Sequence, residues 1–150
     1  MRLFYWVIIM MLFFQNMLVS SVFSSEERWS YQFFGGIPIG AGIYYDMKNG
    51  FGTQLQGGYN IRFGGAWQVD LDITKQIEVD FLKYPLSLSV GPQFWTGKDG
   101  DWWGIRILPG IEFPFQNKKK KVMLTAGTVL FFSPEFAAEL NTYIGIQHFF

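Results

Sequence analysis

Arg106 lies in the stretch "WWGIRILPGIEFPF", residues 102–115, and four carboxylates, Asp70, Asp72, Glu112 and Glu139, hold comparable places in other stretches. An arginine fork can bridge two carboxylates through paired, charge-assisted hydrogen bonds. An unpaired charge in poorly hydrated space costs roughly several kcal/mol, so these groups are expected to meet. Two roles fit such a set: an ion gate, or a structural plug that lets a narrow space be polar. The plug is the preferred reading.

Other chemistry has less to build on. His148 is the single histidine, and no serine on its face could form a nucleophile–base pair with it. It reads as a stand-in for an interfacial aromatic ring. With no cysteine and no second histidine, a zinc-type ligand set cannot be assembled. Asp70-x-Asp72 and Asp99-x-Asp101 are weak calcium candidates, the first better read as lumen polarity and the second as a turn. No catalytic residue, metal or cofactor is assigned. The formal charge is balanced, which gives nucleic acid no basic surface to bind. The one sharp charge run, Asn117 to Lys121, reads as a solvated turn or as a contact to anionic headgroups or peptidoglycan.

The elements that must position these residues are strands. In "FGTQLQGGYNI", residues 51–61, odd positions are apolar or Thr and even positions are Gly, Gln and Asn. Strand side chains alternate between faces, so the segment has one apolar and one polar face. The same alternation sets Trp67, Val69, Leu71 and Ile73 against Gln68, Asp70 and Asp72. It sets Leu86, Leu88, Val90, Pro92 and Phe94 against Ser87, Ser89 and Gln93. It sets Trp103, Ile105, Ile107, Ile111, Phe113 and Phe115 against Arg106 and Glu112, and Leu140, Ile144, Ile146 and Phe150 against Glu139, Asn141 and Gln147. Weaker segments at 29–36, 39–47 and 122–132 bring the expected count to eight. Turn signals fall at Ile37-Pro38, Lys48-Asn49-Gly50, residues 97–100, residues 116–121 and Ser133-Pro134-Glu135. Residues 67–81 are one long strand or two with a kink near Lys75; the even-strand rule of single-chain barrels favours one long strand or an extended linker. The alternation in 122–132 leaves its register open.

The direction of the apolar face separates a soluble barrel from a membrane barrel. The lysines are all expected in turns or beside the ambiguous stretch, with none on a polar strand face. That face carries Gly, Gln and few charges, namely Asp46, Asp70, Asp72, Arg106, Glu112 and Glu139. Large rings crowd the apolar face near strand ends: Trp29, Tyr31, Tyr45, Phe51, Trp67, Phe94, Trp103, Phe113 and Phe115. Trp and Tyr settle at bilayer interfaces, and an eight-stranded lumen is expected to be too narrow for so many rings. The rings are therefore expected outside, the amides and carboxylates inside. Pro92 and Pro109 fall on the outer face, where each is expected to mark a bulge.

The ends agree with export to a membrane. Met1-Arg2, the apolar run Leu3 to Phe14 and the small residues Ser20, Ser21, Ser24 and Ser25 read as a secretory signal peptide cut after Ser24. Residues 25–150 then form one domain. The final stretch "NTYIGIQHFF" has Tyr143, Gly145, His148 and Phe150 in the layout of a barrel-assembly signal, with His148 where an aromatic ring is usual.

"WWGIRILPGIEFPF" and "NTYIGIQHFF" together resemble the small outer-membrane β-barrel families related to the transmembrane domain of outer membrane protein A. The resemblance implies structural roles for Arg106, Gly145 and Phe150. Many relatives have an acidic residue and a proline in the penultimate strand, whereas Thr125 and Thr128 stand in that region here. The expected fold is all-β, an eight-stranded antiparallel up-and-down transmembrane β-barrel. The expected protein is non-enzymatic, with a structural or membrane-organising role; a narrow porin-like pore and a secreted barrel for an apolar ligand are the alternatives. Its expected partners are outer-membrane lipid and the barrel-assembly machinery. The expected outer turns, "GIPIG", "NIRFGG", "TGKDGD" and "SPEF", are short.

Overall fold

The structure, a computed structural model, describes residues 28–61, 65–98, 100–115 and 120–150. The signal-peptide reading lies outside the described residues, as do Asp99 and residues 117–119 of the lysine run. Eight antiparallel strands close into one barrel in sequence order. They are β1 (Arg28–Ile37), β2 (Ile39–Asp46), β3 (Phe51–Asn60), β4 (Ala66–Ile77), β5 (Leu86–Gly97), β6 (Gly100–Pro114), β7 (Lys120–Ser133) and β8 (Ala137–Phe149). Closure is made by β1 on β8, with Ser30 opposite Phe149 and Gly36 opposite Tyr143. A closed ladder leaves no unpaired sheet edge.

Two of the described connections show how turn chemistry makes the hairpins. Between β2 and β3, Asn49 (φ 65°) and Gly50 (φ 70°) adopt left-handed backbone, which Asn and Gly tolerate best. Pro38 alone separates β1 from β2. The stretch from Trp67 onward is one strand as far as Ile77, after which residues 78–85 turn back toward β5. The start of β1, the end of β8 and the turns at 47–50 and 78–85 share one end with the end of β6 and the start of β7, hereafter the terminal end. The far end holds Pro38, residues 134–136, the ends of β3 and β5 and the starts of β4 and β6.

Side chains alternate strictly between wall and lumen. Trp67, Val69, Leu71 and Ile73 are exposed on the outer face, while Gln68, Asp70, Asp72 and Thr74 between them are buried. The outer rings form two belts. At the terminal end Trp29 packs on Tyr45 and Tyr84 on Phe113; at the far end Tyr59 packs on Trp67 and Trp103 on Phe132. Along β6 the belts are joined by Ile105, Ile107, Pro109 and Ile111. The ten steps from Trp103 to Phe113, at ~3.3 Å per residue and a tilt of ~40°, span about 25 Å, the height of the apolar band of a membrane barrel. Lys75, on the outer face, sits at the terminal belt, where its ammonium donates to the Asn49 carbonyl (2.6 Å) and lies 4.0 Å above the Phe51 ring.

Three sequence expectations need correction. Lys121 does lie on a polar strand face: it points into the lumen, only 4% exposed. Second, the lumen is wide enough for rings, because Phe34, Tyr44, Trp95, Phe131, Tyr143 and Phe149 are all buried within it. For Phe34 and Tyr44 glycines on the neighbouring strand supply the room. A Cβ on Gly40 would collide with the Gly57 carbonyl oxygen and lie 2.7 Å from Phe34 Cζ, and one on Gly52 would strike the Tyr44 hydroxyl. Third, Pro92 and Pro109 face outward but mark no bulge. The ladder merely skips beside them, between Asp70↔Gln93 and Ile73↔Val90 and between Ile107↔Thr128 and Gly110↔Thr125. The register is the same on both sides of each gap, so the missing N–H is absorbed without an inserted residue. Among the described residues the register shifts at Trp103/Gly104 against β7 instead.

Gly40→Ala is expected to lower stability by about 1–3 kcal/mol through overpacking. Gly57→Ala, outward with its nearest atom 4.0 Å away, is expected to stay within about 0.5 kcal/mol of the parent. Urea unfolding in lipid vesicles measures both, and equal effects would contradict the small-against-large packing.

Candidate functional site

The lumen holds three tiers of inward side chains. The middle tier is built by β3, β4 and β6. Arg106 is fully buried, and every guanidinium nitrogen has a partner. Nε donates to Asp72 Oδ1 and Oδ2 at 2.9 and 3.0 Å, and Nη1 donates to Asp70 Oδ2 at 2.8 Å. Nη2 donates to Gln56 Oε1 at 2.6 Å and also to Asp72 Oδ2. Two amides add donors to the acids: Gln54 Nε2 to Asp72 Oδ2 at 2.7 Å, and Gln68 Nε2 to Asp70 Oδ2 at 2.8 Å.

The reach of Arg106 depends on what is absent from β5. Gly91 is paired with Arg106, so the guanidinium crosses a strand that offers no side chain there. A Cβ on Gly91 would collide with the Leu71 carbonyl oxygen and lie 2.7 Å from Asp72 Oδ1. The remaining cross-section is filled by Phe34, Leu108 and Tyr143, a buried cluster in which the Phe34 and Tyr143 rings stand 4.9 Å apart.

The sequence-derived set divides among the tiers. Asp70, Asp72 and Arg106 come together, but Glu112 and Glu139 do not join them. Glu112 lies six residues further along β6, about 20 Å at the strand rise, and pairs with Lys121 Nζ at 2.8 Å in the terminal-end tier. Gln76 Nε2 donates to the same carboxylate oxygen at 2.8 Å. Asp46 is in this tier, 3.6 Å from Arg28, and the Phe149 ring lies beneath both Arg28 and Lys121. Glu139 points inward near the far end, where it lines a cavity with Trp95, Trp102 and Phe131. Val129 stands between Glu139 and Arg106 in the register, and the guanidinium turns the other way, across Gly91.

Of the final-strand residues, Tyr143 and Gly145 face the lumen. His148 faces outward and stacks on Tyr31 at 5.3 Å, in a group that includes Phe150. Lys121 is the lumenal residue that sequence reading missed. Its parity with Thr125 and Gly127 was the available signal, hidden by its place at the end of a lysine run. Asp70 and Asp72, considered for calcium, are committed to Arg106.

A closed up-and-down barrel of eight strands, apolar outside and ion-paired inside, has the architecture of a transmembrane β-barrel domain. Among solved structures, the crystal structure of the N-terminal β-barrel domain of Pseudomonas aeruginosa OprF matches with a TM-score of 0.69, covering 83% of this chain and 100% of that one at 13% identity. Identity that low shows likeness of fold alone. No family model matches the chain, and no curated protein matches it in sequence.

Arg106→Ala, which strands two buried carboxylates, is expected to cost about 3–5 kcal/mol. Adding Asp70→Asn and Asp72→Asn is expected to recover most of that loss. A single variant as stable as the parent in urea, or a triple variant no better than the single, would contradict the clamp.

Proposed function

We propose that this chain is a non-enzymatic integral outer-membrane barrel whose role is structural or membrane-organising. One observation carries the reading: the lumen is filled across its middle by the Arg106 clamp and by Phe34, Leu108 and Tyr143, all inaccessible to solvent or nearly so. A barrel filled in this way offers solutes no continuous path, and its charges serve to neutralise one another. Its apolar wall and twin ring belts fit a bilayer, and the OprF barrel supports the choice of an outer membrane. In this reading the termini lie in the periplasm, and the far end, with its short connections, faces outward. Such connections offer little surface for adhesion. Lipid is the partner of the wall, and the barrel-assembly machinery inserts it, with the final-strand residues Tyr143, Gly145, His148 and Phe150 as its signal.

The test is electrical. In planar bilayers the purified barrel is expected to give no discrete conductance, while the unboiled protein from the outer-membrane fraction migrates differently from the boiled form. Reproducible unitary openings would replace this reading with the narrow pore. Detergent-free solubility after export would replace it with a soluble apolar-ligand barrel.

A further inference from the structure

At the far end the starts of β4, β6 and β8 and the ends of β5 and β7 surround a cavity of about 80 Å³. A single water needs roughly 10–15 Å³ of such space, so the cavity has room for a small organic group. Its walls are Trp95, Trp102 and Phe131, with both indoles meeting Phe131 edge to face at centroid distances of 4.6 and 5.7 Å. Ala66 and Ala137 keep it open, and among the described residues Glu139 is the one charged side chain lining it. Among the described residues no side chain forms an ion pair or hydrogen bond with the Glu139 carboxylate. Lys98, on the adjoining turn, is exposed and does not line the cavity. One inward position deeper, Asn141 Nδ2 donates to Gln93 Oε1 at 3.4 Å and links β8 to β5 beneath the rings.

We propose that this aromatic cup with its unpaired carboxylate is a binding site for a small alkylammonium cation. The two wall components select the ligand class together. Ring faces carry negative potential and attract cations, most strongly on indole. An anion would be repelled by Glu139 and by the rings. A neutral apolar ligand would strip water from the carboxylate and return nothing for it. A compact cation with an apolar shell satisfies both surfaces: its charge faces Glu139 and its methyl groups face the rings. This goes beyond the plug, because the cup lies outside the sealed tier, and an inert structural barrel has no need of an unpaired acid among indoles.

The experiment is an NMR titration of the whole folded barrel in maltoside micelles, which lack choline headgroups. The probe is tetramethylammonium chloride; tert-butanol and sodium chloride are the neutral and ionic controls. The indole N–H signals of Trp95 and Trp102 are expected to shift saturably, while those of the outward Trp29, Trp67 and Trp103 stay fixed. Glu139→Gln and, separately, Trp102→Leu at the half-buried rim are each expected to weaken binding about tenfold. Heat-modified mobility verifies that each variant is folded. The proposal is overturned by equal shifts at outward indoles, by a non-saturating response, by equal binding of tert-butanol, or by unchanged affinity in either folded variant.

Discussion

The structure depends on one constraint: a barrel with an apolar wall must keep its polar side chains where bulk water cannot neutralise them. Arg106 and its two aspartates meet that constraint in the middle of the lumen, where all three are fully buried. A guanidinium inside this lumen is tolerable because five hydrogen bonds from three nitrogens leave no donor exposed. Two carboxylates against one cation leave excess negative charge, and the amide donors of Gln54 and Gln68 soften it. The Gln-rich inner face of β3 and β4 is thus a consequence of the clamp: an amide can donate to an acid without adding charge.

Packing and electrostatics are linked through glycine. The same strands that carry the clamp omit side chains where the clamp, or a ring, must cross. Gly91 lets Arg106 pass over β5, and Gly40 lets Phe34 pass over β2. Large inward residues such as Arg106, Phe34 and Tyr44 therefore do not overfill the barrel, since each is matched to a glycine that leaves room for it. The result is a lumen in tiers: an ion-paired terminal end, a sealed middle and an aromatic far end. Among the described residues the far tier alone combines open space with an unpaired charge, which is why a ligand site is placed there and not at the more heavily charged clamp.

Much of this was legible in the sequence because strand periodicity is short and strict. The parity of Asp70, Asp72 and Arg106 fixed their common face before any pairing was known, and the Asn49-Gly50 turn announced its hairpin. What was not legible depended on register. Whether Glu112 and Glu139 reach Arg106 is a matter of distance along and around the barrel, and alternation carries no such distance. Lys121 was concealed by its lysine neighbours, whose turn-like composition outweighed one residue of strand parity. The lumenal rings were misjudged for a related reason: room for rings such as Phe34 and Tyr44 comes from glycines on the neighbouring strand, and which glycine meets which ring is set by register.

The claim on which all of this rests is the direction of the two faces, and it can be measured in a bilayer. The chain has no cysteine, so single cysteines at Leu71, Ile107 and Ser89 give unambiguous probes. Fluorophores attached at Leu71 and Ile107 must be quenched by brominated acyl chains and spared by an aqueous quencher, while the unlabelled Ser89→Cys thiol resists a membrane-impermeant reagent. Water-quenched, lipid-insensitive signals at Leu71 and Ile107 would show the barrel to be turned the other way, and the account would fail.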